Sequence, residues 1–248
     1  MLMTAIGRDI DTSFYGELAG VRTLITNLSP ESGVDVARAF ADHKARLVLH
    51  VVNNEPETDA VVALLNETAS DIKLYTDACQ SPDEAVSFAQ NAVQAFGSLD
   101  VVINMIPVTT DDLKGRASMA DVEDMVSEKL ILPLLTTRVV ANRMRLTLTQ
   151  GLVLNIMTMP AAHTAGEAAL AGVARATLAA LTRREAENWA PQGIRINAIG
   201  PRSAASEGGA CLASEPDIAS LALYLASKRG SSLTGYVFDA DGDAASWS

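Results

Sequence analysis

A single doubly wound parallel sheet of about seven strands, with helices on both faces, is the α/β fold class that three observations predict. Short β-branched runs alternate with longer segments whose apolar residues recur at helical spacing. The runs are nearly continuous in apolar residues, as strands covered on both faces require. No composition break and no Gly/Ser-rich linker divides the 248 residues, so one domain over 1–248 is expected, with 1–20 as a polar lead.

The first strand is expected at Val21–Asn27. Ser29-Pro30-Glu31 then reads as a helix start: serine as N-cap, proline at the first helical position, and an acid facing the positive end of the dipole. The second and third strands are placed at Arg46–Val52 and Ile72–Asp77. Over 82–96, Ala85, Val86, Phe88, Ala89, Ala92, Val93 and Phe96 fall on one helical face. Leu99–Met105 is the fourth strand, followed by a helix whose apolar stripe holds Val122, Met125, Val126 and Leu130 together with Lys129. Leu152–Thr158 and Ile194–Ile199 flank a helix from Glu167 to Trp189 that is rich in alanine. Ile218, Leu221, Ala222 and Leu225 mark the last helix, ahead of a seventh strand at Tyr236–Asp239.

The charge balance narrows the function classes. Nineteen Lys and Arg against 30 acids give a formal net charge of −11, which argues against nucleic acid or an anionic membrane surface as partner. Cys79 and Cys211 fit no metal spacing and read as unpaired thiols in a reducing compartment. Met1–Ile6 lacks a cationic start with a sustained apolar run, and no stretch approaches the roughly 18 apolar residues of a membrane span. A cytoplasmic protein is expected.

Several landmarks in this order resemble the short-chain dehydrogenase/reductase superfamily. They are Leu99-Asp100-Val101-Val102-Ile103-Asn104, then Gly193-Ile194-Arg195-Ile196-Asn197-Ala198-Ile199-Gly200-Pro201, then Leu225-Ala226-Ser227, Leu233-Thr234-Gly235 and Asp241-Gly242. The resemblance implies a Rossmann-like fold, a nicotinamide cofactor (NAD or NADP), and an Asn-Ser-Tyr-Lys set that moves a hydride to or from a carbonyl. The motifs that carry this chemistry depart from the pattern. The family's Thr-Gly-x-x-x-Gly-x-Gly falls on Thr26-Asn27-Leu28-Ser29-Pro30-Glu31-Ser32-Gly33, leaving only the last glycine. Asn27 tolerates the left-handed conformation of the first glycine. Glu31 is expected to oppose a cofactor phosphate and to take its place at the helix start.

Asp77 and Asn104 match family positions that contact adenosine, and Asn53 and Asn54 stand where an acid or base would normally select the ribose. Thr158 takes the place of the substrate-orienting serine and keeps its hydroxyl. Ala171 takes the tyrosine's place, Arg175 the lysine's and Lys129 the asparagine's. An alanine methyl neither donates nor accepts a proton, and losing a positioned general acid costs about 10²–10⁴ in rate. Arginine is permanently charged and suits an anion better than a proton relay. Lys129 is read either as a cation facing the old active site or as a packed stem whose ammonium reaches solvent. His163 is a surrogate acid by its titration range, or a surface loop residue. Glu167 reads as a helix-start acid.

Between Pro201 and Glu215 the chain is short and small in residue size, where relatives carry a helical lid over substrate. Together these departures favour a non-catalytic structural or regulatory subunit without bound dinucleotide. A residual NAD(P)-dependent oxidoreductase is the alternative. A third reading follows the halohydrin dehalogenases, which use Ser-Tyr-Arg, but Ala171 removes the tyrosine. By the same resemblance the chain forms a homo-oligomer, dimer or tetramer, or joins an active paralogue.

Overall fold

The computed structural model describes residues 12–51, 56–76, 79–113, 119–162, 164–202 and 212–241. Seven strands form one parallel sheet: β1 (Arg22–Leu28), β2 (Arg46–Val51), β3 (Asp71–Tyr75), β4 (Val101–Pro107), β5 (Leu152–Thr158), β6 (Arg195–Pro201) and β7 (Val237–Ala240). Their spatial order is β3-β2-β1-β4-β5-β6-β7. Connections therefore leave β1 in one direction and β4 in the other, so the carboxyl ends of β1 and β4 mark the switch point at which such sheets open a crevice. The doubly wound parallel sheet expected from the sequence is the sheet observed, with strand limits displaced by up to two residues.

The helices are α1 (Val34–Asp42), α2 (Pro56–Asn66), α3 (Pro82–Gln94), the short α4 (Thr110–Leu113), α5 (Met119–Leu146), α6 (Ala165–Trp189) and α7 (Glu215–Ala226). Adjacent strand residues point to opposite faces. Ile25, Leu47, Leu49, Leu154 and Ile199 join Val36 and Phe40 of α1 and Ile218 and Leu223 of α7 on one side. Leu24, Val48, Val102 and Val153 join Phe88 of α3 and Met144 of α5 on the other. Near the carboxyl edge, Ile106, Met157 and Ala198 pack with Val126 of α5 and Leu178 of α6.

One sequence expectation is corrected by local geometry, and the lead gains structure. Residues 12–18 of the polar lead form 3₁₀ turns on either side of a kink at Tyr15 and bury Leu18 in the core. Tyr15 meets His43 edge to face, and Arg229 lies over Phe14. The first helix starts at Val34, not beside Ser29. Ser29 and Ser32 exchange two backbone hydrogen bonds of 3.1 Å, so Pro30 and Glu31 form the tip of a closed turn and are exposed. Gly33, at φ +87°, then turns the chain into α1. A Cβ at Gly33 would stand 3.2 Å from Met105 Cγ, so both the left-handed backbone and the close approach call for glycine.

Elsewhere the local signals hold. Ser81 and Glu84 close a capping box on α3, and Thr164 and Glu167 close another on α6, so Glu167 is the helix-start acid expected of it.

Candidate functional site

The carboxyl ends of β1 and β4 are tied by side chains rather than left open. Asn27 adopts φ +54°, as its place in the glycine pattern suggests. Its Nδ2 donates to the Met105 carbonyl at 2.9 Å, and its amide donates to His50 Nδ1 at 3.2 Å. Asn104 is fully buried and faces inward: Thr26 Oγ1 donates to its Oδ1 at 3.3 Å, and its Nδ2 donates to Asn155 Oδ1 at 2.8 Å and Thr137 Oγ1 at 3.3 Å. The Asn104 side chain is thus turned into the sheet, its polar atoms bonded to β1, β5 and α5. A void of about 30 Å³ lies beside Thr26, Asn27 and His50. Asp77, Asn53, Asn54 and His163 lie outside the described residues, as does the stretch 203–211 that would replace the lid.

The anion at the start of α1 is not Glu31. Glu215, at the first turn of α7, accepts from the Asp35 amide at 3.1 Å, and the Gly33 and Val36 amides also act on it to favour its charged form. Burial pushes this carboxyl up to about 7, and the charge of Asp35 adds to the effect, against the opposing pull of the three amides. The amides that a dinucleotide diphosphate would use at a helix N-terminus are therefore already engaged, and the preceding turn is bonded to itself. The residues as arranged do not fit that group.

Both cations singled out from the sequence are paired with carboxylates. Lys129 Nζ lies 2.9 Å from Asp112 Oδ2 and is half-buried beside Met125, Val126 and Leu130. Burial raises the Asp112 carboxyl, but bonds from the Thr109 amide, Lys129 and the Thr109 hydroxyl outweigh it and hold the group below the usual range. The Lys129 ammonium thus meets a carboxylate. Arg175 points to β7, where its Nη2 lies 2.6 Å from Asp239 Oδ1. The two side chains are only 21% and 15% exposed. Ala171 is buried one turn earlier, and Thr158 is half-buried at the end of β5. A proton donor at the position of Ala171 is thus absent, and the guanidinium one turn on is held by an acid.

A sequence profile described as enoyl-(acyl carrier protein) reductase matches residues 32–208 of this chain. The chain belongs to the short-chain dehydrogenase/reductase superfamily. An uncharacterized oxidoreductase of Mycobacterium tuberculosis is 29% identical over 229 residues, covering 85% of this chain and 86% of the relative. A 3-oxoacyl-[acyl-carrier-protein] reductase of Staphylococcus aureus is 23% identical over 241 residues, 88% and 96% of the two chains. Among solved structures, a short-chain type dehydrogenase/reductase from Mycobacterium marinum superposes with a TM-score of 0.72 at 18% identity, over 95% of this chain and 99% of that one. A Serratia marcescens short-chain dehydrogenase/reductase gives 0.71 at 16% identity, over 92% and 99%. At such identity the structures show the fold alone.

For a short-chain dehydrogenase/reductase the crevice lies where the fold places it, but the polar groups around it bond to one another. Glu215, Asp239 and Asp112 are the residues that sequence reading missed. Each is an acid whose own neighbourhood explains it locally, and only the tertiary fold pairs it with an α1 amide, Arg175 or Lys129. Two grooves open elsewhere. One of about 500 Å³ runs between α6 and β7, lined by Gly172, Ala176, Arg183 and Tyr236 among others. One of about 410 Å³ runs between α3 and α5. Among the described residues no helix is long and apolar enough to cross a membrane, and no cluster of three His, Cys, Asp or Glu is placed to hold a metal.

Proposed function

We propose that this member of the superfamily has lost hydride transfer and acts as a non-catalytic structural or regulatory subunit. The observation that carries the reading is Ala171 with Arg175 beside it. The methyl group supplies no proton, and the cation meant to lower a tyrosine's pKa is bound to Asp239 at 2.6 Å. The engaged amides at α1 support the absence of a bound NAD or NADP, and Asn104, drawn into the sheet, supports it at the adenosine end. What such a subunit retains is its surfaces. The small residues Gly172, Ala176 and Ala179 on α6 permit close approach of another helix, so a homo-oligomer or an assembly with an active paralogue in the cytoplasm is the proposed setting.

The experiment is a turnover assay: purified protein with NADH or NADPH and a panel of ketones and aldehydes, followed by loss of cofactor absorbance. No carbonyl-dependent oxidation is expected. Turnover that rises with carbonyl concentration and survives repurification overturns the reading. Co-purification from the host tests the subunit role, and an active short-chain dehydrogenase in the same particle is the supporting result. The names of the curated relatives favour a second reading, residual oxidoreductase activity with Thr158 and a water as the proton relay. The same assay decides between them.

A further inference from the structure

The N-terminus of α1 is bonded to a carboxylate that comes from 180 residues away in the chain. Glu215 is only 6% exposed. Its role at α1 is not that of a cap on its own helix: α7 is capped by Ser214, whose hydroxyl accepts from the Asp217 amide. The first amides of a helix lack intrahelical partners and carry partial positive charge, and a carboxylate satisfies both conditions as a phosphate does. The position is also the topological switch point of the sheet, where ligands of this architecture bind. A buried internal anion therefore sits at the place built for an external one.

We propose that Glu215 is a built-in competitor for phosphate: its carboxylate holds the α1 amides that the diphosphate of a dinucleotide needs, and such a ligand enters only when this carboxyl loses its charge or swings away. The proposal rests on the reading of the chain as one that does not use a nicotinamide cofactor, and gives that reading a cause, namely a cradle that is occupied rather than destroyed.

The surroundings make the competitor sensitive to pH near neutrality. Asp35 on α1 repels the Glu215 charge, and among the described residues no cation is found acting on it. On its own helix Asp217 is turned to the Ser214 hydroxyl at 2.8 Å, and Glu31 on the neighbouring turn is exposed. With the carboxyl half-protonated at about 7, the neutral form falls about tenfold from pH 6 to pH 8.

NADH is a suitable probe because its diphosphate keeps its charge across that range. The full chain, E215Q and E215A are titrated with NADH at pH 6 and pH 8 by cofactor fluorescence, with circular dichroism as the check on folding. The expected result is a wild-type affinity about tenfold weaker at pH 8 than at pH 6, no pH step in E215Q, and E215A binding at least tenfold more tightly than wild type at pH 8. A wild-type affinity that is unchanged with pH overturns the proposal and requires no variant. Folded E215Q and E215A that bind no better than wild type at pH 8 overturn it as well. Carbonyl-dependent oxidation in the same samples reports separately on the proposed function. Binding without turnover sustains both readings, turnover defeats the loss of chemistry alone, and absence of binding in folded variants defeats the role of Glu215 alone.

Discussion

Replacing Glu215 by glutamine removes one titration from the folded protein and leaves its shape, so the stability difference between the two chains should depend on pH in a calculable way. The carboxyl is raised from the ordinary value of 4.5 to about 7, chiefly by burial and then by Asp35. Between those limits the folded state holds a proton that the unfolded chain has released. Stability from this group is therefore complete below pH 4.5, declines as pH rises, and is lost above about 7. At about 1.4 kcal/mol per pH unit the whole effect is about 3 kcal/mol, of which roughly 2–3 kcal/mol falls between pH 5 and pH 8. Urea unfolding at pH 5, 6, 7 and 8, read by circular dichroism for wild type and E215Q in parallel, isolates it, because every other titration cancels in the difference. Wild type should lose roughly 2–3 kcal/mol relative to E215Q across that range, or about 5–10 °C in Tm for a chain of this size. A constant difference across the range, or a wild type that gains on E215Q as pH rises, refutes the account of a buried carboxylate held charged at a cost.

Two further substitutions test the closed polar contacts at the carboxyl edge. N104A leaves Thr26, Thr137 and Asn155 short of partners in the core and should lower stability by about 2–3 kcal/mol in urea melts; a loss below about 1 kcal/mol would mean that water or repacking replaces the network. D239N strands the Arg175 guanidinium, whose Nη1 already has no hydrogen-bond partner among the described residues, and should cost about 3 kcal/mol, whereas the double change R175M/D239L should recover most of that loss; equal losses in the single and double variants would show that the pair itself carries little.

The sheet was legible because its evidence is local. Val48 and Leu49 are buried on opposite faces, and a run apolar at every position announces that both faces are covered. The capping acid Glu167 was legible for the same reason, since Thr164 and Glu167 satisfy each other within one turn. Ser29-Pro30-Glu31 carried an equally good local signal and misled, because residues that suit a helix start also suit a two-residue turn closed by Ser29 and Ser32, and the left-handed Gly33 places the helix start after that turn. The partner of Arg175, Asp239, lies on a strand 64 positions later, and nothing in either neighbourhood names the other.

The start of α1 shows why part of the site was legible and part was not. Orphan amides at a buried helix terminus require an acceptor, so the sequence supported the inference that an acid, lacking a cofactor, belongs there. It could not say which acid. Glu31 was close in sequence and exposed in space, whereas Glu215 was distant in sequence and brought to Asp35 by the packing of α7 on α1. The demand for a partner is a property of the backbone and can be read before the fold is known; the supply comes from whichever side chain the tertiary packing delivers. If that supply is what keeps phosphate out, ligand specificity at this junction is set on α7 rather than in the glycine motif, and mutating the turn at Ser29–Ser32 back toward glycine while Glu215 remains should restore little binding.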